Sequence, residues 1–298
     1  MKMKLSKKPA KTRRQGATTP TPRSILKIMA TTDFSDASRI GVRHAISIAE
    51  KLGASVSLIH VLKPRSWLSE LGAIVPARED AEVIASARAK LTTLAKCEVK
   101  NVPVTVSVQT GNPFHAITTA ARQQMADLIV IATHGHTGFE RVLLGSTAER
   151  VVRHAPCSVL TVSTRTKPKR TGKTPPFKLK KILIPIDFSN ISKDALPWAT
   201  LLAAQFGAEL VLLHIVEKFP IDYLLGSGLT NETLVPLMKQ AEADLEQMAG
   251  SLSKSNGPKV SAVVSDGKPF EVICQTAKTL GADLIVLTTH GYTGLKRK

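Results

Sequence analysis

Gly135 and Gly145 have nine residues between them, and Ser146 and Thr147 follow the second glycine. A glycine lets the backbone turn tightly or approach a ligand closely, because it has no Cβ. Hydroxyl residues at the start of a helix lie among backbone N–H groups that have no intrahelical partner and attract anions. Together these residues have the chemistry to hold a phosphate. A plainer reading stands beside it: Ser146-Thr147-Ala148-Glu149 is also an S-x-x-E capping box, in which Ser146 closes its own helix. The two are compatible, since a backbone N–H can serve a phosphate while the side chain caps.

Asp33 is the second candidate. It lies between a strand-like run and a helix-like run in "TTDFS", where an acid either accepts ribose hydroxyls or helps hold a phosphate-bound magnesium ion. It can equally cap the helix or complement its dipole. His134 and His136 flank Gly135, and His60 and His214 each close an apolar run. None shows metal-ligand spacing, so zinc is not expected, and His60 and His214 read as packing residues at the edge of a core. The chain has no G-x-x-x-x-G-K-[ST] or G-x-S-x-G motif, and no general base stands beside a nucleophile. Binding is expected rather than catalysis.

The elements that must position these residues are written twice. "KIMATTDFSDAS" from Lys27 recurs as "KILIPIDFSNIS" from Lys181, and "ADLIVIATHGHTG" from Ala126 recurs as "ADLIVLTTHGYTG" from Ala282. The offset is about 154 to 156 residues, which indicates a tandem duplication of one domain. Each copy alternates continuous apolar runs with amphipathic ones. In the first, strands are expected at 25–30, 56–62, 104–108, 128–132 and 158–162. The helix over 36–52 should place Ile40, His44, Ile48 and Leu52 on one face, and the next should turn Val83, Ile84, Ala87, Leu91 and Leu94 inward. This pattern predicts α/β architecture, two tandem doubly wound, Rossmann-like domains with parallel sheets covered on both faces. In such sheets ligands bind beyond the carboxyl ends of the strands, where Asp33 and the glycine loop would meet if strands one and four are neighbours. By the offset the second copy lacks its last helix and strand, leaving strand four as an apolar edge.

The net charge of +18 is concentrated in segments that cannot build a core. Residues 1–23, 163–181 and 296–298 hold nineteen of the 41 cations and no acid, leaving twenty-two cations against 23 acids elsewhere. The expected organisation is a basic tail (1–23), a first domain (24–163), a basic linker (164–180) and a second domain (181–298). Such tails attract anionic polymers by counterion release alone, without reading sequence, and this is a secondary expectation. The 3 cysteines are odd in number and form no C-x-x-C pair, which fits a reducing cytoplasm. No secretory segment or membrane span is read.

The order "TDFS", "LIHV", "G-x-P", "ADLIVIATHG", nine residues, "GS", "AERVVRHAPCSVLTV" resembles the universal stress protein family. The resemblance covers both repeats. It implies a five-stranded parallel sheet of order 3-2-1-4-5, a cytoplasmic stress-response role, and self-association through domain pairing, as a homodimer or an intrachain pseudo-dimer. In some members it also implies ATP binding through G-x-x-G, nine residues, G-[ST]. Carried over, the nucleotide-binding set in the first repeat is Thr32, Asp33, Val61 near the adenine, Ala132, Gly135, Gly145, Ser146 and Thr147, with ATP and magnesium as cofactors. Ala132 stands where the family has its first glycine, a departure that matters only if the position needs positive φ. In the second repeat Asp187, Thr288 and Gly291 remain as a degenerate site without a following Gly-Ser. The expected function is a nucleotide-dependent sensor or switch whose first domain binds ATP, not an enzyme, with slow ATP hydrolysis as a further alternative. The main alternative is a pairing module of the same family that binds no nucleotide.

Overall fold

The computed structural model describes residues 25–63, 77–133, 145–163, 177–217, 231–253 and 257–288. In the first repeat the elements run β1 (Lys27–Thr31), α1 (Asp36–Leu52), β2 (Ser55–Leu62), α2 (Ala77–Glu98), β3 (Val104–Thr110), α3 (Pro113–Gln123), β4 (Leu128–Ala132), α4 (Ser146–His154) and β5 (Ser158–Val162). The second runs β6 (Lys181–Pro185), α5 (Asn190–Lys193), α6 (Leu196–Phe206), β7 (Glu209–Val216), α7 (Asn231–Leu252), β8 (Val260–Asp266), α8 (Pro269–Leu280) and β9 (Leu284–Ile285). All the strand pairs are parallel, in a five-stranded sheet of order β3-β2-β1-β4-β5 and a four-stranded sheet of order β8-β7-β6-β9. β1 and β4 are therefore neighbours, and the connections that follow them leave toward opposite faces.

Alternate residues of each central strand feed different cores, because strand side chains alternate between faces. Ile28 and Ala30 join Val42, Ala45, Ile46 and Ala49 of α1 and Leu91 of α2 on one face. Met29, Ile59, Ile129 and Ile131 join Ile117 and Ala121 of α3 and Ala148 and Val151 of α4 on the other. Each fully buried aliphatic side chain contributes about 1.5–3 kcal/mol relative to exposure. The inward face expected of α2 is corrected at one position: Val83 is 39% exposed, whereas Ala87, Leu91 and Leu94 are buried. Val83 belongs to the first half of α2, and the residues that reach the sheet lie in its second half.

One device recurs in both copies and was not singled out from sequence. Asp127, before β4, accepts the backbone N–H groups of Leu26 and Lys27 at 2.9 and 3.0 Å. Asp283 does the same for Lys180 and Lys181 at 2.8 and 3.1 Å. Each carboxylate ties the start of the first strand of its repeat to the start of the fourth.

The repeats touch through α1 and its own duplicate. Trp198, Leu201, Leu202 and Phe206 of α6, together with Phe177, pack against the α1 core. The Phe177 ring lies 4.7 Å from His44 and 5.3 Å from Phe206. At the 154-residue offset Trp198 occupies the position of His44, so equivalent helices meet at equivalent positions. Phe177 and the buried Leu179 show that packing begins before Lys181.

Among the described residues the second core of the second repeat is small. Leu183, Val211 and Leu213 form a small buried cluster, and α8 has no buried residue. Phe270 and Leu287 are 70% and 51% exposed. Their counterparts in the first repeat, Phe114 and Ile131, pack in the core that α4 helps to close.

Candidate functional site

The site is built where β4 ends. Ala132 is still strand, in register with Val162 of β5, and it is not among the residues with positive φ. The position therefore needs only ordinary dihedrals, and the methyl group in place of the family glycine introduces no backbone strain. Thr133 follows, 5% exposed, with its N–H donated to the Val162 carbonyl at 3.1 Å. Gly135, His134 and His136 lie outside the described residues.

The chain returns at Gly145, which donates its N–H to the Thr133 carbonyl at 2.8 Å. Gly145 has φ −65° and ψ 147°, values open to any residue, so the glycine is not there for φ. A Cβ built on it would stand 2.9 Å from the Thr133 carbonyl oxygen. The glycine is required by the close approach of two backbones.

Gly145 is also the N-cap of α4 and, as a glycine, has no side chain with which to cap that helix. This corrects the capping-box reading. Ser146 is the first helical residue and not the cap, and Glu149 is one place too far along: its N–H donates to the Gly145 carbonyl at 2.9 Å, and its carboxylate pairs with Arg153 at 3.0 Å. Among the described residues no side-chain cap is seen for the first N–H groups of α4, where the helix dipole adds a partial positive charge.

Ser146 and Thr147 line a cavity of about 490 Å³, together with Lys63, Gly111, Asn112, Pro113, Phe114 and Arg150. Two elements besides α4 shape it. Lys63 directly follows β2. Gly111, at φ 126°, turns β3 into α3, a conformation that suits glycine. Asn112 caps α3 by accepting the Phe114 N–H at 3.1 Å, and Pro113 occupies the first turn. The Arg150 guanidinium lies over the Phe114 ring at 4.4 Å, within the range of a cation–π contact. Lys63, Asn112 and Arg150 were not singled out from sequence. Arg150 sits one helical turn beyond Ser146, which places both on one side of α4.

The other expected site residues make contacts of their own. Asp33 accepts the N–H of Ser35 at 3.0 Å and the Ser35 hydroxyl. Thr32 is buried, its hydroxyl 2.9 Å from that of Ser38, and it accepts the Phe34 N–H at 3.0 Å. These bonds hold Phe34 at φ 65°, a left-handed conformation that is costly for a bulky residue. The Phe34 ring rests 4.4 Å from His60, whose Nδ1 is 2.8 Å from the Thr32 carbonyl. Val61 packs on the same core face as α3 and α4. Neither Thr32, Asp33, Val61 nor Ala132 is among the described residues lining the cavity.

The second repeat copies the turn. Asp187 accepts the Ser189 N–H at 2.9 Å, Phe188 has φ 61°, and its ring lies 4.5 Å from His214, whose Nδ1 is 2.7 Å from the Ile186 carbonyl. Burial alone would raise the Asp187 pKa, but hydrogen bonds from Ser189 and Ser192 outweigh it and hold the carboxyl below its ordinary value. Glu217 stands where the first repeat has Lys63, and Lys268 where it has Asn112. Thr288 follows the short β9, and Gly291 lies outside the described residues. The aspartate turn shapes the β1–α1 and β6–α5 connections in the same way.

No group of three or more metal-binding side chains occurs among the described residues, and no described helix is long and apolar enough to cross a membrane.

The sequence profile of the universal stress protein family matches residues 25–163 and 178–298. A universal stress protein of Methanocaldococcus jannaschii is 37% identical over 150 residues, which cover 48% of this chain and 84% of that protein. A universal stress protein A homolog of Coxiella burnetii is 30% identical over 138 residues, covering 45% of this chain and 94% of the relative. The crystal structure of a universal stress protein from Archaeoglobus fulgidus shares the fold, with TM-score 0.55 at 18% identity over 87% of this chain and 85% of that one. Two profile matches in tandem, on two sheets of the order described, lead to one conclusion: the chain belongs to the universal stress protein family.

Proposed function

We propose that the first repeat binds ATP and that the chain acts as a nucleotide-dependent switch through pairing of its two repeats. One observation carries the reading. Helix α4 opens on a glycine with no capping side chain, and its first residues, Ser146 and Thr147, face a cavity that also holds Lys63 and Arg150. Uncapped N–H groups, two hydroxyls and two cations suit a polyphosphate. The reading is of binding, because the described lining has no carboxylate or histidine to activate a water for attack on a phosphate. Pairing of the repeats through α1 and α6 gives bound nucleotide a route to the rest of the chain, since α1 packs on β4, the strand that leads into the loop.

Magnesium fits this site poorly as a protein-held ion. The lining supplies cations, and Asp33, the carboxylate expected to help, gives its Oδ1 to Ser35. Nothing in the reading is therefore routed through the metal.

The test is mass spectrometry of gently purified full chain, run native and then denatured, followed by titration of nucleotide-free protein with ATP. About one adenine nucleotide per chain, or saturable binding of added ATP, is the expected result. A chain that carries none and binds none at millimolar ATP would leave the alternative, a pairing module, which the packing of α6 against α1 favours.

A further inference from the structure

We infer that Lys63 and Arg150 supply the counter-charge for the phosphates, so that the first repeat takes a nucleoside polyphosphate without needing a divalent cation. This rests on the nucleotide reading above and adds the ionic form of the ligand.

Both cations are uncommitted. Among the described residues, ion pairs join Arg43 to Glu98, Arg153 to Glu149, Lys259 to Glu209 and Lys268 to Glu271, and neither Lys63 nor Arg150 enters one of these. The contrast within α4 is direct. Arg153 is engaged by Glu149 one turn back, whereas Arg150 lies over the Phe114 ring. An aromatic face restrains a guanidinium without using its N–H donors, which stay available for the paired bonds that a phosphate accepts. Lys63 reaches the same cavity from the end of β2.

Magnesium is ordinarily held by one or two carboxylates plus phosphate oxygens. The described residues of this cavity offer no carboxylate. Two side-chain cations and the positive end of α4 act instead on whatever enters. A metal ion on the phosphates would compete with those cations for the same oxygens, so the metal-free polyphosphate is the better ligand. The second repeat supports the assignment by contrast, since it has Glu217 in place of Lys63.

The experiment is calorimetric titration of the nucleotide-free full chain with ATP, once in excess EDTA and once in excess magnesium chloride. The expected result is binding in EDTA at least as tight as in magnesium. A Lys63→Gln, Arg150→Gln double variant should lose on the order of tenfold or more in EDTA, in line with the loss of two charge-assisted contacts, and lose less in magnesium. Both positions are exposed, so its melting temperature should match the parent. Binding that disappears in EDTA and returns with magnesium would overturn this inference and leave the nucleotide reading intact. A double variant that binds like the parent in EDTA would overturn it as well. No binding in either buffer would remove the nucleotide reading and this inference together.

Discussion

The backbone N–H of Gly145 is bonded to the carbonyl of Thr133 at 2.8 Å, and a Cβ on Gly145 would stand 2.9 Å from the same oxygen. One contact thus closes the segment between β4 and α4 and excludes every side chain but hydrogen from its closing residue. The Gly-Ser step does two jobs. Gly145 fits the backbone crossing, and Ser146 begins a helix whose donors are left open because the cap has no side chain to fill them.

Gly145→Ala tests the crossing. The dihedrals at this position suit alanine, so the whole effect should come from the clash, and forcing a methyl into a fixed backbone contact costs about 1–3 kcal/mol. The expected outcome is a lower urea midpoint with an unchanged m-value, together with weaker nucleotide binding. A variant as stable as the parent would show that Thr133 moves away freely.

Ser35 and Ser146 should respond oppositely to alanine substitution. Ser35 is the N-cap of α1 and accepts the Ser38 N–H at 3.2 Å, so Ser35→Ala should cost about 1 kcal/mol. Ser146 caps nothing, and Ser146→Ala should change stability by less than about 0.5 kcal/mol, as for an ordinary surface position, while weakening phosphate binding. Equal losses of stability in chemical denaturation would restore Ser146 as a cap.

His44 sets an acid-side dependence. Burial at the contact with Phe177 lowers its pKa below 6.5. Between the ordinary value and the lowered one, the unfolded chain binds the proton and the folded chain does not, so stability rises with pH through that window and falls on acidification. Denaturation midpoints between pH 5 and 7 should therefore show a shallower slope for His44→Leu than for the parent. Parallel slopes would mean that the imidazole titrates in the folded chain as it does in water.

Much of the architecture was legible in the residues. Continuous apolar strands such as Leu128–Ala132 and the paired motifs at the 154-residue offset set the class and the duplication, because backbone pairing and burial act on local pattern. Ile28 beside Met29 already implies a strand buried on both faces. Val83 was misplaced because helical period shows which residues share a face, and not how far along the helix the sheet extends.

The sequence by itself determined that there are two α/β repeats and that the first ends its fourth strand in a loop closed by Gly145-Ser146. Tertiary structure alone decided what those residues do. The steric need at Gly145 comes from Thr133, the turn role of Asp33 from Ser35, and the charge of the cavity from Lys63 and Arg150. The two cations are separated by most of the repeat and brought together by the parallel order of the sheet, a long-range relationship that no local period records. The meeting of α1 with its duplicate α6 is of the same kind: apolar residues on both helices announce burial, but only packing chooses the partner.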